Sequence, residues 1–143
     1  RAYGVHDFPA EDLLLGRFDS PAVLALVDEL GRAYGVIVGT PVYKASYSGV
    51  LKALLDLLPE RVFADKVLLP FAVGGSPAHM LVLDYALRPV LAALKAQEIL
   101  HGVYALDTQI IRQETRVVLD PVLTERLQHA LGQFEQALAR RRS

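Results

Sequence analysis

The sequence predicts an α/β domain in which helices cover both faces of a parallel sheet. Short apolar segments alternate with longer segments of helical periodicity along the chain, which is typical of that class. One apolar segment, residues 35–39, is unbroken, as expected for a strand buried on both faces of its sheet. The 143 residues suffice for a hydrophobic core, and we expect one domain over residues 1–143.

The composition disfavours several classes of protein. Apolar residues make up 52% of the chain, which is typical of a compact domain rather than a disordered one. A formal net charge of -1 gives no general attraction to nucleic acid, and the apolar segments are too short to span a membrane, so we expect neither partner. The chain has no Cys, hence no disulfide or thiolate site. No signal peptide is recognisable, and we expect a cytoplasmic location.

The first third of the chain is predicted to contain two strands and a helix. Residues 2–8 are predicted to form a strand, followed by a connecting segment over residues 9–17. A helix then begins, because Ser20 is suited to cap it and Pro21 to occupy its first position. The apolar segment at residues 35–39 is the next strand.

The middle of the chain is predicted to form a strand and a long, distorted helix. The strand covers residues 66–73, where Pro70 either weakens it or marks a bulge. The helix covers about residues 79–97 and contains Pro89, which cannot donate a backbone hydrogen bond. A kink or a widened turn is therefore expected at residues 85–89.

The last third is predicted to contain a strand over residues 102–106 and a final helix that begins at Asp120 and Pro121. Between them, two apolar pairs flank a polar stretch, which forms either a hairpin or an irregular excursion. The final helix has an apolar stripe consisting of Val122, Leu123, Leu127, Ala130, Leu131, Phe134 and Leu138.

Two loops follow predicted strands and are candidates for a ligand site. Residues 39–49 connect a strand to a helix over residues 50–58, and residues 74–79 follow the next strand. In open α/β sheets ligands bind at the carboxyl ends of the strands. The first loop has a rigid Pro41, two tyrosines and several small residues, which suit a flat, partly polar ring better than a bare phosphate.

These segments resemble the NADPH-dependent FMN reductases of the flavodoxin-like superfamily, specifically those of the alkanesulfonate-utilisation type. The resemblance extends from about Phe8 to the final helix. The segments that carry it are residues 9–14, 17–21, 39–49, 54–61, 84–91 and 94–103. The run from Thr40 to Lys44, followed by Tyr47, Ser48 and Gly49, is specific, and residues 94–103 are more specific still.

The resemblance implies a flavodoxin-like three-layer sandwich and a two-component enzyme system. NADPH would pass a hydride to the flavin, and reduced FMN would go to a separate monooxygenase that cleaves alkanesulfonates for sulfur. FMN would be a substrate or a loosely held cofactor. The protein would form a homodimer or homotetramer, with the flavin sites close to subunit boundaries.

One feature of the family has no counterpart in this sequence. Family members begin with a strand and a loop of Gly-Ser-Pro type that holds the FMN phosphate, and no segment here matches it. In the flavodoxin-like strand order 2-1-3-4-5 that strand is central, and residues 2–8 would be the second strand. We therefore expect the domain to be incomplete at its N-terminus, with the first strand and phosphate loop lying upstream.

The resemblance assigns FMN-binding roles to both loops, and each role has a structural alternative. Lys44 either meets a phosphate or is a solvated surface residue, and Ser48 either contacts the flavin or caps the next helix. The second loop either faces the polar edge of the ring or is a tight turn. The predicted flavin-binding residues are Thr40, Pro41, Val42, Tyr43, Lys44, Tyr47, Ser48, Gly74, Gly75 and Ser76.

The resemblance makes Tyr85 the one candidate catalytic residue, because an aromatic residue at its position in relatives lies at the subunit interface, near the flavin of the partner subunit. The alternative is that Tyr85 is a core tyrosine beside a proline kink. His79 is expected to form local hydrogen bonds, and His101 to end a helix; no spacing typical of a metal site is present. The alternative functions are a flavodoxin-type electron carrier, an FMN-dependent quinone or azo reductase, and a non-catalytic interaction module.

Overall fold

The computed structural model describes residues 1–142. The helices are α1 Ala10–Leu14, α2 Pro21–Arg32, α3 Gly49–Asp56, α4 Arg88–Ala93 and α5 Pro121–Arg142. The strands are β1 Gly35–Tyr43, β2 Ser46–Tyr47, β3 Val67–Gly74, β4 Glu98–Ile99, β5 Val103–Leu106, β6 Ile110–Arg112 and β7 Val117–Leu119. Short 3-10 turns are Val5–Asp7, Pro77–His79 and Asp107–Gln109, and a π-helical turn is Leu83–Leu87.

The main sheet is parallel apart from the short strand β2, and helices cover both of its faces, as predicted. β1 pairs with β3, and the other side of β3 pairs first with β4 and then with β5. Core residues of α2, α3 and α4 pack on one face of the sheet, and those of α5 pack on the other. β6 and β7 form a separate antiparallel hairpin, so the polar stretch between them is a hairpin.

The predicted strand at residues 2–8 is wrong. The segment is a 3-10 turn, Val5–Asp7, in which the Gly4 N–H donates to Asp7 Oδ2 at 2.6 Å and the Asp7 N–H donates to the Gly4 carbonyl at 3.0 Å. A short side chain that hydrogen-bonds the backbone of a nearby residue, as Asp7 bonds Gly4, offers an alternative to strand pairing. The strand prediction did not take this competing hydrogen bond into account.

The segment at residues 9–17 contains helix α1 and an internal ion pair. Asp12 is buried, and its carboxylate accepts from the Ser20 hydroxyl at 2.5 Å and from the Arg17 guanidinium at 3.2 Å. Ser20 lies at the predicted cap position of α2, but its side chain bonds Asp12 rather than the helix backbone. These residues hold the two helices together and lie outside the ligand site.

Pro70 leaves β3 and its register intact. The parallel register of β1 and β3 continues through Pro70 without a bulge. On the other side, β4 pairs with Val67 and Leu68, and β5 begins to pair at Phe71. Pro70 therefore lies opposite the interruption between β4 and β5, where its missing N–H is not needed. A Cβ on Gly102 would lie 2.6 Å from the Pro70 carbonyl oxygen, so glycine is required at this close approach.

The predicted long helix at residues 79–97 is divided, and the widened turn is confirmed. The Arg88 N–H bonds the carbonyl of Leu83, five residues earlier, which defines the π turn immediately before Pro89. The Arg88 guanidinium also donates to the carbonyls of Ile99 and Leu100 at 2.9 and 3.0 Å. The π turn is thus fastened to the sheet beside β4.

The last helix begins and packs largely as predicted. The Asp120 carboxylate accepts from the backbone N–H groups of Val122 and Leu123 at 2.9 and 3.2 Å. Leu123, Ala130 and Phe134 are buried against the sheet, but Val122 is 60% exposed and is not part of the core stripe. None of the helices within residues 1–142 is both long and apolar enough to cross a lipid bilayer.

One long edge of β1 has no strand partner within residues 1–142. β2 pairs only with Val42 and Tyr43, so the edge of Gly35–Pro41 opposite β3 is open. A hollow of about 580 Å³ follows this edge between β1 and the apolar faces of α2 and α3. Ile37 on this strand is half exposed.

Candidate functional site

The candidate site lies where β1 and β3 end together. The register pairs Pro41 with Val73, so the carboxyl ends of both strands reach the same rim of the sheet. A Cβ on Gly74 would lie 3.4 Å from the Cβ of Val42, which shows how closely the two strand ends approach. The two loops singled out in the sequence are therefore neighbours in space, as the parallel topology requires.

The first loop is a β-hairpin rather than an irregular loop. β1 continues to Tyr43, and β2 returns antiparallel, with Val42 paired to Tyr47. The turn consists of Lys44 and Ala45, with φ angles of 49° and 63°. Hairpin turns of this kind usually contain Asn-Gly or Asp-Gly. Because Lys-Ala is not such a signal, the hairpin could not be recognised from the sequence.

A pocket of about 450 Å³ lies between the hairpin and the second loop. Its lining residues are Val42, Lys44, Ala45, Gly75, Ser76 and His79. The volume falls within the usual range for small-molecule sites, about 300–1,000 Å³. The larger hollow along β1 is lined mainly by apolar core residues, whereas three of the six residues that line this pocket, Lys44, Ser76 and His79, are polar. We therefore take this pocket as the candidate ligand site.

Four of the predicted flavin-binding residues line this pocket: Val42, Lys44, Gly75 and Ser76. Lys44 is exposed at the turn of the hairpin and lines the edge of the pocket. The Ser76 hydroxyl accepts from the Ala78 N–H at 3.2 Å, which stabilises the turn after the second loop. The assignment of these four residues to the flavin stays a prediction that the pocket supports.

Thr40 and Ser48 are buried and bonded to the protein itself. The Thr40 hydroxyl donates to the Pro41 carbonyl at 2.8 Å and accepts from the Ser48 N–H at 3.0 Å. The Ser48 hydroxyl accepts from the Leu51 N–H at 3.2 Å, so it caps α3. Of the two roles open to Ser48, the structure shows the capping role, and both hydroxyls hold the hairpin against α3.

The remaining predicted residues lie beside the pocket rather than in its wall. Tyr43 is 65% exposed on the hairpin, and Tyr47 is half-buried against the core. Pro41 lies within the end of β1, and Gly74 ends β3. Contact of these four residues with a flavin stays a prediction.

Tyr85 lies on the surface of the π turn. Its side chain is 79% exposed, so the alternative of a core tyrosine is wrong. Met80 and Leu81, which precede the π turn, are also more than half exposed. The turn therefore presents an apolar surface, while its other side is fastened to the sheet by Arg88.

Sequence reasoning did not assign Ala45, His79 or Tyr104 to the site. Ala45 enters the pocket only because the hairpin turns at that residue, and His79 because Pro77–His79 is a 3-10 turn. The Tyr104 hydroxyl donates to the Ser76 carbonyl at 2.6 Å, from a strand 28 residues away in the chain. Burial, with the Asp107 carboxylate as the second cause, raises the pKa of Tyr104 above its ordinary value of 10.0.

A family comparison identifies the fold and the class of enzyme. The family described as NADPH-dependent FMN reductase matches residues 2–110, more than half of the chain. The chain belongs to the NADPH-dependent FMN reductase family. It is therefore an oxidoreductase whose family reaction uses NADPH and FMN, as the resemblance implied.

Individual relatives agree with this assignment. The chain is 58% identical over 139 residues to an FMN reductase (NADPH) of Escherichia coli K12, covering 97% of this chain and 73% of that protein. It is 57% identical over 141 residues to an FMN reductase (NADPH) of Pseudomonas putida KT2440, covering 97% of this chain and 72% of that protein.

A solved structure shows the same fold. The apo form of the NADH:FMN oxidoreductase EMOB superposes with a TM-score of 0.82 at 36% identity, covering 94% of this chain and 69% of that one. The flavodoxin-like α/β class expected for this reductase family is thereby confirmed.

Proposed function

We propose that this reductase binds FMN in the pocket between the β1–β2 hairpin and the Gly75–Ser76 loop, and reduces it with NADPH. The observation that carries the proposal is the pocket itself, about 450 Å³ at the joined carboxyl ends of β1 and β3. That rim is where α/β sheets bind nucleotides and flavins. FMN, when bound, supplies the electron-accepting ring to which NADPH gives its hydride.

The lining residues fit a flat ring that has one apolar and one polar side. Val42 and Ala45 offer apolar surface on the hairpin, and the second loop offers backbone groups at Gly75 and Ser76. Gly75 has no side chain, and a Cβ there would meet only Asp107, at 3.6 Å, so the backbone is open to a close approach. The contribution of this chain is to hold the ring in place, since hydride transfer depends on positioning.

We further propose that reduced FMN leaves this site for a separate, cytoplasmic monooxygenase that acts on alkanesulfonates. The support is the resemblance of residues 39–49 and 94–103 to reductases of that type. The exposed position of the hairpin, with Tyr43, Lys44 and Ala45 at the surface, suits a flavin that enters and leaves.

A second copy of this chain is the proposed partner of the π-turn surface. Met80, Leu81 and Tyr85 are large apolar residues that are exposed close together in the chain, and exposed apolar patches are typical of protein interfaces. The proposed assembly is a homodimer or homotetramer.

Sedimentation of the Tyr85→Lys variant should show a smaller species than the parent protein. The control Tyr34→Lys, which changes another exposed tyrosine, should leave the sedimentation unchanged. An unchanged assembly in Tyr85→Lys would contradict the proposal.

The open edge of β1 is the proposed position of the first family strand. Its unpaired backbone groups and the apolar hollow beside them fit a parallel strand, and a loop after that strand would reach the rim where the pocket lies. The phosphate of FMN would then be held by that loop rather than by residues 1–142.

The test of the proposed site is NADPH oxidation followed at several concentrations of FMN. We expect turnover that depends on added FMN. Turnover that needs a quinone instead would favour the quinone reductase, and bound FMN without turnover would favour the electron carrier.

Gly75→Leu places a side chain in the pocket and should weaken FMN binding. Gly31→Leu is the matched control, because an added Cβ at that α2 position meets nothing within 4 Å. Equal FMN affinity in both variants would remove the second loop from the site.

A further inference from the structure

Tyr104 connects strand β5, which pairs with β3, to the second pocket loop. It is buried in β5, paired with Ala72 of β3, and belongs to the core on the face covered by α2, α3 and α4. Its ring extends toward the rim of the sheet, where the hydroxyl donates to the Ser76 carbonyl at 2.6 Å. A buried side chain on a rigid strand therefore holds a backbone group of the loop that forms one wall of the pocket.

Gly74 leaves room for the Tyr104 side chain because glycine has no Cβ. A Cβ at Gly74 would lie 2.0 Å from the Tyr104 hydroxyl oxygen and 2.9 Å from Cζ. No side chain can occupy that space while Tyr104 keeps its bond to the loop. The glycine in this loop is thus explained by contact with Tyr104, which is separate from any contact with a flavin.

We propose that Tyr104 is a positioning residue for flavin binding, which sets the place of Gly75 and Ser76 through its bond to the Ser76 carbonyl. The inference rests on the proposed flavin site. Tyr104 does not line the pocket, so it holds the loop rather than touching the ring. The hydroxyl is buried and its pKa is raised by that burial, so it stays protonated and remains a donor at neutral pH.

The Tyr104 hydroxyl acts as a hydrogen-bond donor to the loop and not as a proton source for the reaction. The Tyr104 hydroxyl already donates its hydrogen to the Ser76 carbonyl, and the nearby Asp107 carboxylate opposes ionisation of the phenol. Loss of the bond should therefore change how well the loop receives FMN and leave the hydride step itself nearly unchanged. This predicts a rise in KM for FMN with little change in kcat.

The experiment uses Tyr104→Phe in the full-length enzyme, which keeps the ring over Gly74 and removes only the donor. A neutral hydrogen bond has a net value of about 0.5–1.5 kcal/mol, so the Kd and KM for FMN should rise roughly 2- to 12-fold. The KM for NADPH and kcat should change less than about twofold. Tyr34→Phe is the matched control, because Tyr34 precedes the amino end of β1 whereas the pocket lies at its carboxyl end. Melting temperatures without FMN show that both variants fold.

Gly75→Leu separates failure of this inference from failure of the proposed site. If Gly75→Leu weakens FMN binding and Tyr104→Phe does not, the positioning role is overturned and the site stands. If neither variant changes FMN affinity, the site itself is misplaced and the inference fails with it. A fall in kcat with KM unchanged in Tyr104→Phe also overturns the inference, because the hydroxyl then acts on the reaction rather than on the loop.

Discussion

At the scale of single residues, the hairpin turn stores backbone strain beside the pocket. Lys44 and Ala45 both have positive φ angles without being glycine, a conformation that costs about 1 kcal/mol or more per residue. Strain of this kind is common at functional sites, where the surrounding structure holds it in place. Ala45 lines the pocket, so the strain and the candidate site coincide.

Replacing Ala45 by glycine should relieve that strain. We expect Ala45→Gly to raise the free energy of unfolding by about 1 kcal/mol, because glycine adopts this conformation without a steric penalty. Urea unfolding measures the change. Ala53→Gly, within α3, is the matched control and should lower the free energy by about 0.5–1 kcal/mol. Destabilisation by Ala45→Gly would mean that the lost methyl contacts and the greater chain entropy of glycine outweigh the relieved strain.

Tyr104 should make stability depend on pH in the alkaline range. Its pKa is raised in the folded state above the ordinary value of 10.0, so the unfolded chain loses this proton first as pH rises. The folded state then binds more protons than the unfolded state, and the free energy of unfolding falls as pH increases above 10.0. The fall should be smaller in Tyr104→Phe, measured by urea unfolding at matched pH. Identical pH profiles would contradict the assigned shift.

The pocket residues that the sequence predicted lie in the two loops that follow predicted strands. Val42, Lys44, Gly75 and Ser76 could be found because these loops follow apolar segments that are typical of parallel strands. Tyr104 could not, because a tyrosine within a predicted strand gives no sign of which distant carbonyl it will reach. Contacts between residues far apart in the chain depend on the packing of the whole sheet, which local patterns do not encode.

At the scale of elements, the stability of α5 depends on an N-terminal cap, Asp120, at the position where the sequence predicts the helix to begin. Asp120 accepts from two backbone N–H groups at the start of a helix that covers one face of the sheet. Asp120→Ala should lower the free energy of unfolding by about 1 kcal/mol, within the usual range of about 0.5–2 kcal/mol for such caps. Asp120→Asn, which keeps an acceptor, should lose less. Equal losses in urea unfolding would show that the charge, rather than the hydrogen bonds, matters here.

Local patterns predicted the elements well where no other interaction competed. The strands at residues 66–73 and 102–106 and the widened turn before Pro89 are confirmed, since apolar runs and a missing donor act locally. The failures have a common cause. Residues 2–8 fold on themselves through Asp7, and the loop at residues 39–49 forms a hairpin in spite of its turn residues. In both cases specific hydrogen bonds outweighed the pattern.

At the scale of the whole molecule, the two faces of the sheet are covered unequally. α5 packs against β3 and β5, while Ile37 of β1 is 52% exposed. The open edge of β1 lies next to this uncovered surface and along the apolar hollow. An exposed, apolar edge strand is a site where chains associate, because its backbone groups pair readily with another strand.

The chain of residues 1–143 should therefore associate through β1, and a charge on that strand should oppose it. We expect Ile37→Lys to slow aggregation, followed by light scattering at several protein concentrations, because natural edge strands use lysine for the same purpose. Ile111→Lys is the matched control, since Ile111 is 51% exposed on the separate β6–β7 hairpin. If both substitutions slow aggregation equally, general charge explains the effect. A selective effect at Ile37 would support β1 as the edge that the first family strand is proposed to cover.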